Sequence, residues 1–144
     1  MKIFRDFDSV DEIVNPVVTL GSFDGIHSGH RQILNGVIAE SKRIKGQSVV
    51  ITFDPHPRQV IFPEQKMELL TTTEEKAELL ERFGIDILLV VEFNETFRQL
   101  SSEDFVRNFL VGKLENGLTL GRKYCIVSNS SRDSGLYRLC FLHV

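Results

Sequence analysis

Pro16-Val17-Val18-Thr19-Leu20-Gly21-Ser22-Phe23-Asp24-Gly25-Ile26-His27-Ser28-Gly29-His30 is the stretch that decides how this chain folds. Its first five residues are a short apolar, β-branched run closed by Gly21, the pattern of a buried strand. Ile33, Leu34, Val37, Ile38 and Ile44 then recur near helical spacing, with Arg31, Gln32, Asn35, Glu40 and Lys42 facing outward and Gly46 placed to stop the helix. Ser48–Phe53 reads as a second strand, broken by the turn-forming Asp54-Pro55-His56-Pro57. Thr72 with Glu75 makes a capping box for a helix whose Leu79, Leu80 and Phe83 point inward and which Gly84 ends. Ile85–Val91 is a third strand, and a cap at Ser101 or Ser102 opens a helix carrying Phe105, Val106, Phe109, Leu110 and Leu114. Strands alternating with helices predict right-handed βαβ units and an α/β fold with a parallel sheet.

At 144 residues the chain has the length of one ordinary domain. An apolar fraction of 42% and a charged fraction of 26% exclude disorder as the default state. No apolar run approaches the ~20 residues that span a bilayer, and Met1-Lys2-Ile3-Phe4-Arg5-Asp6 has no signal-peptide core. The net charge of −3, with no basic stripe, argues against nucleic acid as a partner. Cys125 and Cys140 are too few for a disulfide scaffold. A cytoplasmic, non-membrane domain is expected, and no protein partner can be named. After about Lys113 the periodicity fades, leaving a sheet of three strands whose last edge is uncovered, with no partner evident for Leu136–Val144.

Gly21–His30 lies between the first strand and the first helix, where open α/β sheets bind ligands and a helix N-terminus offers free N–H groups. Gly21, Gly25 and Gly29 allow tight turning and close approach of backbone to an anion. His27 and His30, three apart, can face one ligand together. Two imidazoles at a helix start suit a triphosphate attacked at its α-phosphorus, and one such donor is worth ~3–4 kcal/mol in a transition state. Two other readings stay open: a turn that merely folds tightly, and a metal site from Asp24, His27 and His30 with His56. The glycines favour the phosphate cradle, and no metal ligand is assigned.

The segment Gly21–His30 resembles the G-x-F-D-G-x-H-x-G-H signature of the bacterial FAD synthetase family, the bifunctional riboflavin kinase/FMN adenylyltransferases. Phe53-Asp54-Pro55-His56-Pro57 resembles that family's F-x-P-H-P segment. Leu70-Thr71-Thr72, Glu74-Glu75-Lys76, Leu79-Leu80, Phe83-Gly84-Ile85-Asp86, Phe97 and Leu100-Ser101 through Phe105-Val106 are similar to the stretch that follows. The resemblance implies a Rossmann-like nucleotidylyltransferase (HxGH) domain that transfers AMP from ATP to FMN with Mg²⁺, giving FAD and pyrophosphate. It implies that His27 and His30 are catalytic, and that Gly21, Phe23, Asp24, Gly25 and Gly29 line the ATP phosphates. Phe53, Pro55 and Pro57 would border the flavin, and His56 would be a loop residue of lesser weight.

The likeness covers roughly residues 10–115. The family's G-x-D-F-x-F-G-like and I-S-S-T-x-I-R segments have no counterpart, and neither Gly121-Arg122-Lys123 nor Ser128-Asn129-Ser130-Ser131 is a match. The expected division is therefore an adenylyltransferase domain over residues 1–115, incomplete at its C-terminal end, and an atypical tail over 116–144. No riboflavin kinase domain is expected. A frameshift or truncation would leave such a pattern. The alternative function is a non-catalytic remnant that binds nucleotide or flavin weakly.

Overall fold

A computed structural model describes residues 1–10, 13–111, 124–127 and 139–141. The strands are β1 (Lys2–Phe4), β2 (Pro16–Leu20), β3 (Gln47–Phe53), β4 (Ile87–Val91), β5 (Tyr124–Val127) and β6 (Leu139–Phe141). The helices are α1 (Ser28–Arg43), α2 (Pro57–Ile61), α3 (Thr73–Phe83), α4 (Glu95–Arg98) and α5 (Ser102–Phe105), the last running into a π-helical segment, Val106–Val111. All six strands form one sheet in the order β1-β4-β3-β2-β5-β6. Neighbours are parallel except the last pair, where β6 runs against β5. No helix among the described residues is long and apolar enough to cross a membrane.

Strands covered on both faces must be apolar on both. Accordingly every residue of β4 is buried, as are Ser48–Thr52 of β3. Alternate side chains enter two cores. Val18, Val49, Ile51, Ile87, Leu89 and Val91 pack with Phe7, Ile13, Phe105 and Leu110 on one face. Val50, Leu88 and Val90 pack with Phe23, Leu34 of α1 and Ala77 and Leu80 of α3 on the other.

The α/β reading and the three central strands agree with the sequence. The capping box of α3 is formed: Thr72 Oγ1 accepts from the Glu75 N–H at 3.1 Å and Glu75 Oε2 from the Thr72 N–H at 2.8 Å. Gly84, at φ 89°, ends that helix. Ser101, not Ser102, caps α5, its Oγ accepting from the Asp104 N–H at 3.0 Å.

Other expectations are corrected. The sheet does not stop at three strands, because β1 covers the outer edge of β4 and β5 the outer edge of β2. Leu139–Phe141, within a run that had no evident partner, pairs with β5. The turn expected at Asp54-Pro55-His56-Pro57 leads into a short helix, α2, that the sequence reading did not assign. On α3, Leu80 is buried and Phe83 packs half-buried against the same core as expected, but Lys76 and Ala77 are buried beside Leu80 as well. Leu79 instead lies half-buried in a recess beside Leu70 and Glu75, because it is turned about 100° from Leu80. Leu114, the segments Gly121–Lys123 and Ser128–Ser131, and most of the expected tail lie outside the described residues.

Gly46 is not the left-handed residue that ends α1. Lys45 takes that conformation at φ 53°, while the Gly46 N–H donates to the Ser41 carbonyl at 2.8 Å and the Lys45 N–H to Lys42 at 3.2 Å. This is a Schellman ending with lysine in glycine's usual seat. Gly46 is needed one place later, where a Cβ would overlap the Asn15 carbonyl. Asn15 is itself at φ 42° and donates from Nδ2 to the Ile44 carbonyl at 3.3 Å. Gly46→Ala should therefore cost about 1–3 kcal/mol of stability by overpacking against backbone. A urea midpoint matching that of the unchanged chain would show the contact to be dispensable.

Candidate active site

β2 has β3 on one side and β5 on the other, so the chain leaving β2 emerges at a topological switch point, beyond the carboxyl ends of the strands. There the Gly21 N–H makes one more ladder bond, to the Ile51 carbonyl at 3.0 Å, before the backbone turns. Phe23 makes the turn at φ 47° with its ring fully buried among Leu34, Val50 and Leu80. A bulky residue holds that conformation only when its surroundings enforce it. Here the buried ring is the enforcing contact.

The next residues are tied to the loop before α3. Asp24 Oδ1 accepts from the Leu70 N–H and the Thr71 N–H, both at 2.9 Å, and from Thr71 Oγ1 at 3.2 Å. The Gly25 N–H donates to Thr71 Oγ1 at 3.3 Å. Gly25 stands at φ 55°, and a Cβ there would come within 2.7 Å of Leu70 Cδ1. Glycine answers both demands.

His27 is the N-cap of α1, its Nδ1 accepting from the Gly29 N–H at 3.2 Å. That bond assigns the ring proton to Nε2, which is left to donate. A Cβ on Gly29 would sit 3.2 Å from His27 Cε1, so this glycine makes room for the capping ring. The His30 ring stacks on His27 with centroids 3.8 Å apart and 22° between planes, and leans on Phe23 at 5.1 Å. Its Nδ1 is buried without a hydrogen-bond partner among the described residues. Burial lowers the pKa of His30, and adjacent His27 lowers it further, against the Gly25 carbonyl and Asp24. The two rings thus form a stacked couple at a helix start, with His30 held toward its neutral form.

Phe53, at the carboxyl end of neighbouring β3, turns to the opposite face of the sheet from Phe23. It packs edge-on to Phe93 and Phe97, each at 5.3 Å, in a chain of rings that reaches Phe105 and Phe109. Pro55 is exposed after a cis Asp54–Pro55 peptide, and Pro57 is the first residue of α2. His56 between them caps α2, accepting at Nδ1 from the Arg58 N–H at 3.2 Å. Burial lowers its pKa, with Asp24 raising it and Lys76 and Arg58 lowering it. Asp24 and Lys76 thus act on both His56 and His30.

Lys76 is the residue the sequence reading passed over. It is only 5% exposed, and its Nζ donates to Thr52 Oγ1 at 3.2 Å. Burial lowers its pKa while Asp24 and Asp54 raise it. The signal was its place on the inward stripe of α3 with Ala77 and Leu80, where a lysine is rare unless partnered. Among the described residues, no group of three or more His, Cys, Asp or Glu side chains is arranged to hold a metal ion.

A histidine-bearing glycine turn at the switch point of a mostly parallel sheet defines a class, the nucleotidylyltransferase-like α/β domain. A family model described as FAD synthetase matches residues 11–138, and this chain belongs to the FAD synthetase family. A bifunctional riboflavin kinase/FMN adenylyltransferase of Listeria monocytogenes serovar 1/2a is 44% identical over 103 residues, covering 68% of this chain and 32% of that protein. One from Buchnera aphidicola subsp. Acyrthosiphon pisum is 32% identical over 133 residues, covering 92% of this chain and 41% of that one. The chain thus spans 41% and 32% of the length of these two relatives, less than half of either. A crystal structure titled as a macrolide-efflux protein from Streptococcus pneumoniae shares the fold, with a TM-score of 0.68 and 23% identity over 78% of this chain and 44% of that one.

Because His30 and His56 bind protons less readily folded than unfolded, stability rises with pH where the unfolded chain holds the extra protons. Their contribution is present above the ordinary histidine value of 6.5 and is lost as pH falls through the lowered folded values. The urea midpoint should fall between about pH 7 and pH 5. His30→Gln combined with His56→Asn, which keeps a capping side chain on α2, should flatten that fall. An equally steep profile in the double variant would assign the dependence to other groups.

Proposed function

We propose that this chain is an FMN adenylyltransferase, moving AMP from ATP to FMN to give FAD and pyrophosphate in the cytoplasm. A phosphate oxygen of FMN attacks the α-phosphorus of ATP, the bond from that phosphorus to the bridging oxygen breaks, and pyrophosphate leaves. The nucleophile is already anionic, so the protein's work is to position both substrates and to meet growing charge with fixed donors. One observation carries the reading: the stacked His27–His30 pair on the first turn of α1, beside a turn sewn to the loop before α3. The adenylyltransferase named in the curated relatives supports it.

In this reading His27 Nε2–H and the neutral His30 ring donate to oxygens of the α-phosphate and the departing pyrophosphate. Gly21, Gly25 and Gly29 keep side chains away from the phosphates, and Phe23 and Asp24 hold the turn's shape. Pro55 and Pro57 border the flavin side, and Phe53, its ring braced by Phe93 and Phe97 on the other face of the sheet, borders it from the end of β3. Mg²⁺ enters with ATP, where phosphate oxygens and water supply most of its ligands. When bound with ATP the ion would neutralise phosphate charge, and no side chain of this chain is assigned to it. Adenylyl transfer is assigned to residues 1–144 and riboflavin phosphorylation is not.

Purified chain given ATP, Mg²⁺ and FMN should form FAD, measured by chromatography. His30→Ala and His27→Asn, the latter retaining a cap for α1, should each lower turnover on the order of 100-fold while FMN affinity changes little. Absence of FAD from the unchanged chain, or losses of only a few-fold in both variants, would overturn the assignment.

A further inference from the structure

A buried lysine needs a reason, since a methionine or leucine would fill the same space on α3 without the cost of desolvating a charge. Lys76 reaches across to β3 and donates to Thr52 Oγ1 at 3.2 Å. An ammonium can only donate, so the Thr52 hydroxyl accepts from it and must send its own proton elsewhere. It donates to the Ser22 carbonyl at 3.1 Å. Ser22 immediately precedes Phe23, whose φ of 47° starts the histidine turn. Two ties therefore join α3 and the loop before it to this turn: Asp24 through Leu70 and Thr71, and Lys76 through Thr52 and Ser22.

We propose that Lys76 is a positioning residue for adenylyl transfer, fixing through Thr52 and Ser22 the turn that presents His27 and His30; this rests on the function proposed above. The ammonium has a second effect at the same place. Its positive charge opposes protonation of His30 and of His56 and so helps keep both rings neutral. The other groups acting on His30 are His27, Asp24 and the Gly25 carbonyl, and those on His56 are Asp24 and Arg58. Asp24 and Asp54 offset the buried charge of Lys76 itself.

The test compares the unchanged chain with Lys76→Met, Lys76→Arg and Thr52→Val, reading steady-state kinetics and the titration of His30 by proton NMR. Lys76→Met and Thr52→Val should each lower kcat/KM for ATP on the order of 100-fold, the scale of an ångström's misplacement, with KM for FMN within a few-fold. Lys76→Arg should recover part of the loss. The His30 midpoint should move up in Lys76→Met, which loses the cation, and hold in Thr52→Val and Lys76→Arg, which keep it. Should Lys76→Met not fold, the near-isosteric Thr52→Val still decides the positioning chain. Near-normal kinetics in Thr52→Val, or an unmoved His30 midpoint in a folded Lys76→Met, would overturn the inference. If the unchanged chain makes no FAD, the proposed function fails, and the histidine titration then judges Lys76 by itself.

Discussion

One carboxylate oxygen joins the two halves of the candidate site. Asp24 Oδ1 accepts from two backbone N–H groups and one hydroxyl of Leu70 and Thr71, and bonds to an ionised acceptor are about twice as strong as neutral ones. The turn it anchors holds Phe23 at positive φ, a conformation that a free segment would abandon. The loop it grips leads directly into the Thr72 cap of α3. Strand end, histidine turn and the start of α3 thus form one unit, and the buried Phe23 ring bolts that unit to the core.

On this frame the histidines occupy a balanced environment. A helix N-terminus disfavours positive charge and favours anions. Burial and stacking act on His30 in the same sense, keeping the ring neutral and able to donate. His27 spends Nδ1 on capping its own helix, which orients its other nitrogen outward. Structural and chemical duties are thus divided between the two nitrogens of one ring.

The central strands, α1 and α3 were legible because they are long, periodic and bounded by recognisable caps. Short elements were not. β1 is three residues at an edge, with Ile3 half exposed, and lacks the double-sided apolar pattern of the inner strands. α2 begins with a histidine cap closed by Gln59, outside the usual Ser/Thr signature, and α4 is four residues long. Lys76 was hidden in a run, Glu74-Glu75-Lys76, that resembles a solvated face; only its helical phase with Leu80 gives it away. The direction of Phe53 was readable in principle. Strand side chains alternate, so Thr52 and Phe53 must face opposite layers, and the structure sends Thr52 toward Lys76 and Phe53 toward Phe97.

The foot of α1 is as firmly held as its head. Asn15, Lys45 and Gly46 lock the end of the helix against the start of β2, and the Gln47 N–H donates to the Val14 carbonyl at 3.1 Å beside them. Between these clamps lie 16 helical residues, a rod of roughly 24 Å at 1.5 Å per residue. The rod behaves as a gauge. Adding or deleting one residue anywhere along it, with the foot held, would swing His27 and His30 by about 100° around the axis and shift them about 1.5 Å along it. Side chains on the outer face of α1 are free to vary, whereas the number of residues between the two clamps is not.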